Sequence, residues 1–242
     1  MRFTIVLLAC IQSILGQVTN VMDTRLSSVT SVSDATSAVG YGDNTILITT
    51  KGGEIYRYRI LEKDTVRIHR ESVSTEGEHG LLSTITRGNS IWMYGVDRSR
   101  KSVIRRGTIT GAAITNVRTI WSGNRLPECS THVGGRLVID GNGHLFISIG
   151  DICNPSFSQD PDEYYGKVLR MDLNGNPVSS NPWFGRGGNA RYVYAMGLRN
   201  PFRMYYSDKQ SRLYVLDVGQ NRLESIYNIR RGDNYGWPNN GI

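Results

Sequence analysis

The stretch "NTILITTKGGEIYRYRI", residues 44–60, contains two strand-like runs on either side of a Gly-Gly turn. It opens on turn residues, alternates through one strand, crosses a short loop and returns through a second strand. Three later segments have the same organisation: "NSIWMYGVDRSRKSVIRRGTI" (89–109), "GHLFISIGD…YYGKVLRMDL" (143–173) and "SRLYVLDVGQNRLESIYNI" (211–229). Helical periodicity is not sustained past the N-terminal segment, so the sequence predicts an all-β fold.

The repeat itself predicts the architecture. Strand starts near Ile46, Ile91, Leu145 and Leu213 recur at widening intervals, and the additional residues fall in loops while the strand pattern persists. One four-stranded sheet every ~40 to 50 residues is typical of a β-propeller blade, and loop insertions tend to collect on the binding face. We therefore predict a β-propeller with about four blades encoded. A β-sandwich with irregular hairpins is the alternative.

The N-terminal residues predict export. "MRFTIVLLACIQSILGQ" has one Arg, an apolar run and then small and polar residues, which is the pattern of a secretory signal peptide over residues 1–17. Residues 18–242 then form one partial propeller domain, since no Pro- or Ser-rich linker divides them. No segment reaches the ~18 apolar residues of a membrane helix. We expect a secreted protein without a membrane span.

The charge of the chain is +7, with Lys and Arg scattered along it. The densest patch, "RSRKSVIRR" (98–106), reads as a solvated strand pair, with a polyanion site as the alternative. Aromatic residues are not interleaved with the basic ones, and export removes the chain from nucleic acid. We expect no nucleic-acid partner.

The third repeat brings an ionisable ring and two cysteines together. "DGNG" (140–143) is a hairpin turn, and counting outward from it places His132 roughly opposite Asp151 and Cys129 roughly opposite Cys153. An even cysteine pair in an oxidising compartment favours a disulfide, which pins the loop that carries His132. A nearby carboxylate orients an imidazole and suits it to act as a general base. A histidine that only fills the loop is the alternative.

Five motifs in order then resemble the glucose/sorbosone dehydrogenase family. They are "THVGGRLVIDGNGHLFISIGD", "YYGKVLRMDLNGNPVSSNPW", "YAMGLRNPFRMYYSD", "LYVLDVGQN" and "GDNYGWP". With the weaker "EGEHGLLS" (76–83), they extend from Glu76 to Pro238. The resemblance implies a six-bladed β-propeller. It also implies kinship with soluble aldose dehydrogenases that use pyrroloquinoline quinone (PQQ) and calcium, and with secreted propellers similar to the hedgehog-interacting protein, which have no comparable chemistry.

The resemblance also implies residue roles. His132 matches the general base that takes the proton of a sugar's anomeric hydroxyl while hydride passes to the quinone. Arg199 and Asn200, in "GLRNP", match the pair that contacts the quinone oxygens. The backbone carbonyls of Gly219 and Gln220, in "DVGQN", match positions that hold calcium. The implied substrate is a small-molecule sugar.

The sequence departs from the family pattern at three places. Glu78, matched to a cofactor-binding position, stands where the family has Gln, and Thr131 stands where it has an Asp beside the base, so that Asp151 is the substitute orienter. The chain ends at Ile242, before the family's last blades and their Lys and Arg residues. We therefore expect weak PQQ and Ca²⁺ binding.

These departures leave three readings. The first is a PQQ-dependent aldose dehydrogenase-like oxidoreductase. The second is a non-catalytic secreted propeller that binds a protein ligand, or an inactive fragment. A structural extracellular protein without a pocket is the third, and it has little support because the retained polar motifs fall on loops.

Overall fold

The repeat at residues 44–60 forms the middle hairpin of a four-stranded antiparallel sheet. This computed structural model describes residues 30–221 and 223–239. The signal peptide predicted at residues 1–17 lies outside the described residues. Within them the protein has fifteen strands, three short 3₁₀ segments and no α-helix, so the all-β prediction is confirmed.

The strands form four consecutive sheets. The first contains β1 (Ala35–Gly40), β2 (Thr45–Thr50), β3 (Glu54–Arg59) and β4 (Asp64–Arg70), and the second contains β5 (Leu81–Arg87), β6 (Ser90–Val96), β7 (Lys101–Thr110) and β8 (Ala113–Arg125). The third contains β9 (Arg136–Ile139), β10 (Leu145–Ile149), β11 (Lys167–Met171) and β12 (Val193–Met196). The fourth contains β13 (Pro201–Ser207), β14 (Arg212–Asp217) and β15 (Ser225–Ile229). The four predicted repeats are the middle hairpins of the first three sheets and the last hairpin of the fourth.

The first strand of each sheet lies innermost. β1 packs beside β5, β5 beside β9, and β9 beside β13. Side chains reinforce these contacts: the Arg136 guanidinium donates to Ser37 Oγ at 2.9 Å, and the Leu137 N–H donates to Ser83 Oγ at 3.1 Å. Sheets that meet through their first strands are the blades of a propeller. The β-propeller prediction is therefore confirmed, with four blades in the described part of the chain.

The core lies between successive blades. Leu47 and Met93 belong to an apolar cluster shared by the first two blades, and further clusters lie between the second and third blades and between the third and fourth. Each buried Leu or Met side chain contributes about 1.5–3 kcal/mol relative to exposure. This packing fixes one blade against the next and so fixes the relative positions of the loops at their ends.

The two flanks of the four-blade array differ in character. The fourth sheet exposes the apolar side chains of Leu216 and Ile226. Beside the first sheet lies an open depression of about 400 Å³ with polar walls that include Asp34, Thr50 and Glu54. Within the described residues, no helix has the length and apolarity to cross a bilayer.

Candidate functional site

Loops at one end of the inner strands carry the residues that the sequence singled out. His132 precedes β9, Asp151 follows β10, and Arg199 and Asn200 precede β13. In an antiparallel sheet the start of one strand lies beside the end of the next, so these loops share one face of the propeller. The structure thus brings together residues from the third and fourth blades, and Glu78 joins them from the loop before β5.

His132 and Asp151 form a hydrogen-bonded pair. The Nδ1 atom of His132 lies 2.8 Å from Oδ1 of Asp151, whose side chain is 1% exposed against 20% for the histidine. The N–H of Cys153 also donates to Oδ1, at 2.9 Å. Within the described part of the chain, Nε2 of His132 makes no hydrogen bond. The pair therefore presents one ring nitrogen toward solvent and holds the other on a buried carboxylate.

The backbone around His132 is tightly fitted. His132 has a φ of 54°, in the left-handed region, and Gly134 follows with a φ of 65°. A Cβ atom on Gly150 would lie 2.0 Å from the carbonyl oxygen of His132, so only glycine fits there. The same carbonyl accepts a hydrogen bond from the N–H of Ile152 at 3.3 Å. The loop after β10 thus restricts the position of the His132 backbone and, through it, the position of the imidazole ring.

The disulfide expected from the sequence is present. Cys129 and Cys153 are bonded, with their Cα atoms 6.2 Å apart. The Thr131 hydroxyl lies 3.1 Å from Sγ of Cys153. Because the bond closes the loop before His132 onto the loop that contains Asp151, it ties the two halves of the His–Asp pair together covalently.

A buried carboxylate organises the fourth-blade side of the site. Asp217, at the end of β14, accepts hydrogen bonds from the backbone N–H groups of Arg199 (3.0 Å) and Asn200 (2.7 Å). Burial raises the pKa of the Asp217 carboxyl to about 6, although these two backbone donors act in the opposite direction. The Arg199 guanidinium in turn donates to the carbonyl oxygens of Val218 and Gly219, each at 3.0 Å.

Asn200 connects three blades. Its Oδ1 accepts a hydrogen bond from the N–H of Gly134 at 3.0 Å, and its Nδ2 lies 3.5 Å from Oε2 of Glu78. The same Glu78 oxygen lies 3.4 Å from the N–H of Val133. A carboxylate at position 78 is therefore part of the site wall, beside the amide that the family resemblance assigns to cofactor contact.

Trp237 is a site residue that was not predicted from the sequence. Its indole N–H donates to Oδ2 of Asp151 at 2.8 Å, and the Arg199 guanidinium carbon lies 5.5 Å from the centre of its ring. The motif "GDNYGWP" contributed to the family resemblance, but nothing in the sequence pairs Trp237 with a residue 86 positions earlier. A buried Trp with an indole partner is detectable only from the fold.

The propeller with polar residues gathered on one loop face defines the class of protein, and comparison with known proteins identifies the family. The glucose/sorbosone dehydrogenase family matches residues 35–241, so the chain belongs to that family. Aldose sugar dehydrogenase YliI of Escherichia coli is 28% identical over 207 residues, 80% of this chain and 55% of that protein. Quinoprotein glucose dehydrogenase B of Acinetobacter calcoaceticus is 30% identical over 197 residues, 68% of this chain and 41% of that protein.

Solved structures give the same result. The PQQ-bound aldose sugar dehydrogenase of Streptomyces coelicolor has a TM-score of 0.78 and 25% identity, covering 86% of this chain and 64% of that one. The apo-form of the Escherichia coli aldose sugar dehydrogenase also has a TM-score of 0.78, with 27% identity, 85% of this chain and 63% of that one. The chain thus spans about half the length of the curated relatives above and about two thirds of these structures.

The donors at the site suit a quinone. Among the described residues, the Nε of Arg199 is buried without a hydrogen-bond partner, and the Asn200 amide donates to Glu78 across 3.5 Å. Both groups have unused donor capacity, which is what quinone and carboxylate oxygens need. The opposing feature is Glu78, whose negative charge lies beside these donors.

The oxygens assigned to calcium are less suitable. The Gly219 carbonyl accepts from the Arg199 guanidinium, so a calcium ion bound there would place two cations side by side. Gln220, the other assigned position, is exposed. Among the described residues there is no group of three or more acidic, His or Cys side chains arranged to hold a metal ion. Ca²⁺ takes six to eight oxygen ligands, so the carbonyls of Gly219 and Gln220 supply at most two of them, and the calcium assignment stays a prediction.

Proposed function

We propose that this chain carries the base and the quinone-contacting residues of a PQQ-dependent aldose dehydrogenase. The observation that supports the proposal is the His132–Asp151 hydrogen bond at 2.8 Å on the same loop face as Arg199 and Asn200. Asn200 joins the His132 loop through the N–H of Gly134, and Arg199 joins the loop after β10 through its carbonyl, which accepts from the Asp151 N–H at 2.7 Å. A base and oxygen-binding donors held together in this way are what sugar oxidation requires.

His132 would remove the proton. With Nδ1 bonded to Asp151, the free Nε2 atom accepts the proton of the anomeric hydroxyl, and the Asp151 carboxylate stabilises the imidazolium that forms. The sugar loses that proton and a hydride from C1, and becomes a lactone. When bound, the quinone supplies the two-electron acceptor for the hydride. The residues of this chain supply the base and its orientation.

Arg199 and Asn200 would bind the oxygens that gain negative charge. The guanidinium is fixed by two carbonyls and an aromatic ring, and the amide is fixed by the Gly134 N–H. Preorganised donors of this kind stabilise developing charge without rearranging during the reaction, at about 3 kcal/mol each.

Export through a signal peptide at residues 1–17 is part of the proposal, and the N-terminal sequence of the secreted product tests it.

A non-catalytic secreted binding propeller is the second candidate. The Glu78 carboxylate favours it, because the negative charge lies 3.5 Å from the Asn200 amide and repels a polyanionic cofactor. The two functions differ in one measurement, which is sugar-dependent reduction of a dye by the purified protein supplied with PQQ.

That experiment has a matched control within the same hairpin. His144 lies at the opposite end of β10 and is also paired with an aspartate, with Nδ1 3.0 Å from Oδ2 of Asp140. With PQQ added to saturation, His132→Ala should lower kcat by about 100-fold or more, while His144→Ala leaves it unchanged. The proposal is wrong if the wild-type protein reduces no dye, or if both variants lose activity equally.

A further inference from the structure

We propose that Trp237 is a positioning residue that orients the base and the quinone-contacting cation together. The catalytic consequence rests on the function proposed above, but the positioning itself does not. One side chain touches both halves of the site: its indole N–H contacts the carboxylate behind His132, and its ring face contacts the Arg199 guanidinium.

The indole N–H completes the bonding of Asp151. Oδ1 of Asp151 is used by His132 and by the N–H of Cys153, whereas the hydrogen bond from Trp237 is made to Oδ2. Asp151 is fully buried, so Oδ2 has no water to replace this donor. Without the indole N–H, Oδ2 is left without this donor, and the carboxylate is oriented less firmly, by the bonds of Oδ1 to His132 and to the Cys153 N–H.

The ring face fixes Arg199 from a second direction. The carbonyls of Val218 and Gly219 accept from one guanidinium nitrogen, and the Trp237 ring lies against the guanidinium at 5.5 Å. A guanidinium within about 6 Å of a Trp ring centre is attracted to the negative face of the ring. The hydrogen bonds to the carbonyls and the contact with the ring face therefore hold the guanidinium from two sides.

Trp237 itself is anchored outside the site. Its backbone N–H donates to the Gly197 carbonyl at 3.0 Å, and its carbonyl accepts from the Gln159 amide at 2.6 Å. Its side chain is buried, with the residue 4% exposed. The backbone of Trp237 is therefore anchored through contacts other than those that its ring makes with Asp151 and Arg199, which is the requirement for a positioning element.

Two substitutions separate the two contacts. Trp237→Phe removes the N–H and keeps a ring face, whereas Trp237→Leu removes both. The matched control is Trp92→Phe: Trp92 is 1% exposed, donates its indole N–H to the Leu173 carbonyl at 3.0 Å and has the Arg106 guanidinium 5.2 Å from its ring, all away from the site.

The first readout needs no activity. In nitrogen-15 NMR spectra of the folded chain, Trp237→Phe should move the His132 ring signals, and Trp92→Phe should leave them in place. The reciprocal experiment uses His132→Ala, which should shift the indole N–H signal of Trp237 and not that of Trp92. If Trp237→Phe does not fold, the shift of the Trp237 indole signal in His132→Ala tests the proposal by itself. Unchanged signals, or equal shifts at Trp92, overturn the proposal.

The second readout is kinetic. Trp237→Phe should lower kcat by up to about 100-fold with the sugar KM retained, because misplacing a base by ~1 Å has an effect of this size. Trp237→Leu should in addition weaken PQQ binding, since the contact of the ring face with the Arg199 guanidinium is lost. If the proposed function is wrong but the positioning role is right, neither the wild type nor any variant will be active, and the NMR shifts described above will still be observed. Equal loss of kcat in Trp92→Phe would overturn the positioning role.

Discussion

Oδ1 of Asn200 accepts a hydrogen bond from the backbone N–H of Gly134 at 3.0 Å, and the bond joins the loops that enter the third and fourth blades. Both residues are buried. Because the buried N–H of Gly134 cannot donate to water instead, the side chain of Asn200 contributes to the stability of the fold as well as to the proposed site.

Replacing Asn200 by Ala should therefore destabilise the protein. The N–H of Gly134 would be left without an acceptor, and a buried unsatisfied donor costs about 1–3 kcal/mol. Denaturant unfolding of the purified variant measures this loss. Asn174→Ala is the control, because Asn174 is exposed and its Oδ1 accepts from the Arg106 guanidinium and not from a buried N–H. A loss no larger than that of the control would contradict the expectation.

Gly150→Ala should displace the base without touching its side chain. The new Cβ would lie 2.0 Å from the carbonyl oxygen of His132, so the loop before β9 must shift. We expect a loss of several kcal/mol in stability, in the upper range for single substitutions, together with loss of dye reduction. Gly185→Ala is the matched control, since a Cβ there meets nothing within 4 Å. Equal melting temperatures in the two variants would exclude the predicted clash.

Local patterns in the sequence were sufficient to predict the blades. The alternating pattern in residues 44–60 corresponds to β2 and β3. Counting from the turn at 140–143 predicted that His132 lies opposite Asp151, and in the structure Nδ1 of His132 lies 2.8 Å from Oδ1 of Asp151. The innermost strand of each blade was harder to identify from the pattern. β9 is only four residues long, and such a short run carries little periodicity.

Contacts between distant segments could not be predicted from the sequence. The family resemblance assigned the Gly219 carbonyl to calcium, but the structure has the Arg199 guanidinium bonded to it at 3.0 Å. The Trp237 contact with Asp151 is equally non-local. Each depends on how two loops from different strands meet, and residue type and spacing along the chain do not determine that meeting.

The disulfide between Cys129 and Cys153 should stabilise the loop before β9. It closes a segment with a sequence separation of 24, for which chain entropy predicts about 3 kcal/mol. We expect the double Cys129→Ser, Cys153→Ser variant to unfold at lower denaturant concentration and to lose its His132 ring signals through broadening in NMR. Reduction of the wild-type protein with dithiothreitol should reproduce the change. Identical unfolding curves for oxidised and reduced protein would contradict it.

Asp217 should give the protein a pH-dependent stability. Its pKa is about 6 in the folded protein because of burial, against 3.8 for the ordinary group. The contribution of a raised carboxyl pKa is fully present below pH 4 and is lost as the pH rises through 6. Relative to Asp217→Asn, the wild-type protein should therefore lose about 2 kcal/mol of unfolding free energy between pH 4 and pH 7. The exposed Asp208→Asn variant should parallel the wild type, and a flat difference for Asp217→Asn would refute the assignment.

Glu78 should weaken quinone binding. PQQ carries three carboxylates, and Arg199 contributes one cation to the residues of the site while the Glu78 carboxylate stands 3.5 Å from the Asn200 amide. Burying a polyanion with incomplete charge pairing costs several kcal/mol per group. We therefore expect the wild-type chain to bind PQQ more weakly than about 1 μM in calorimetric titrations, with or without added Ca²⁺. Micromolar or tighter binding would overturn this expectation.

Glu78→Gln tests the cause directly. The amide keeps the shape of the side chain and removes the like charge, so PQQ affinity should rise about tenfold, which corresponds to about 1.4 kcal/mol. Glu76→Gln is the control, because Glu76 lies on the same loop with its side chain 57% exposed, and solvent screens its charge. Since a long-range charge effect would act through both residues, equal gains in the two variants would show that net charge, and not the carboxylate beside Asn200, limits binding. A gain confined to Glu78→Gln, accompanied by faster dye reduction, would show that this carboxylate opposes the cofactor within the site.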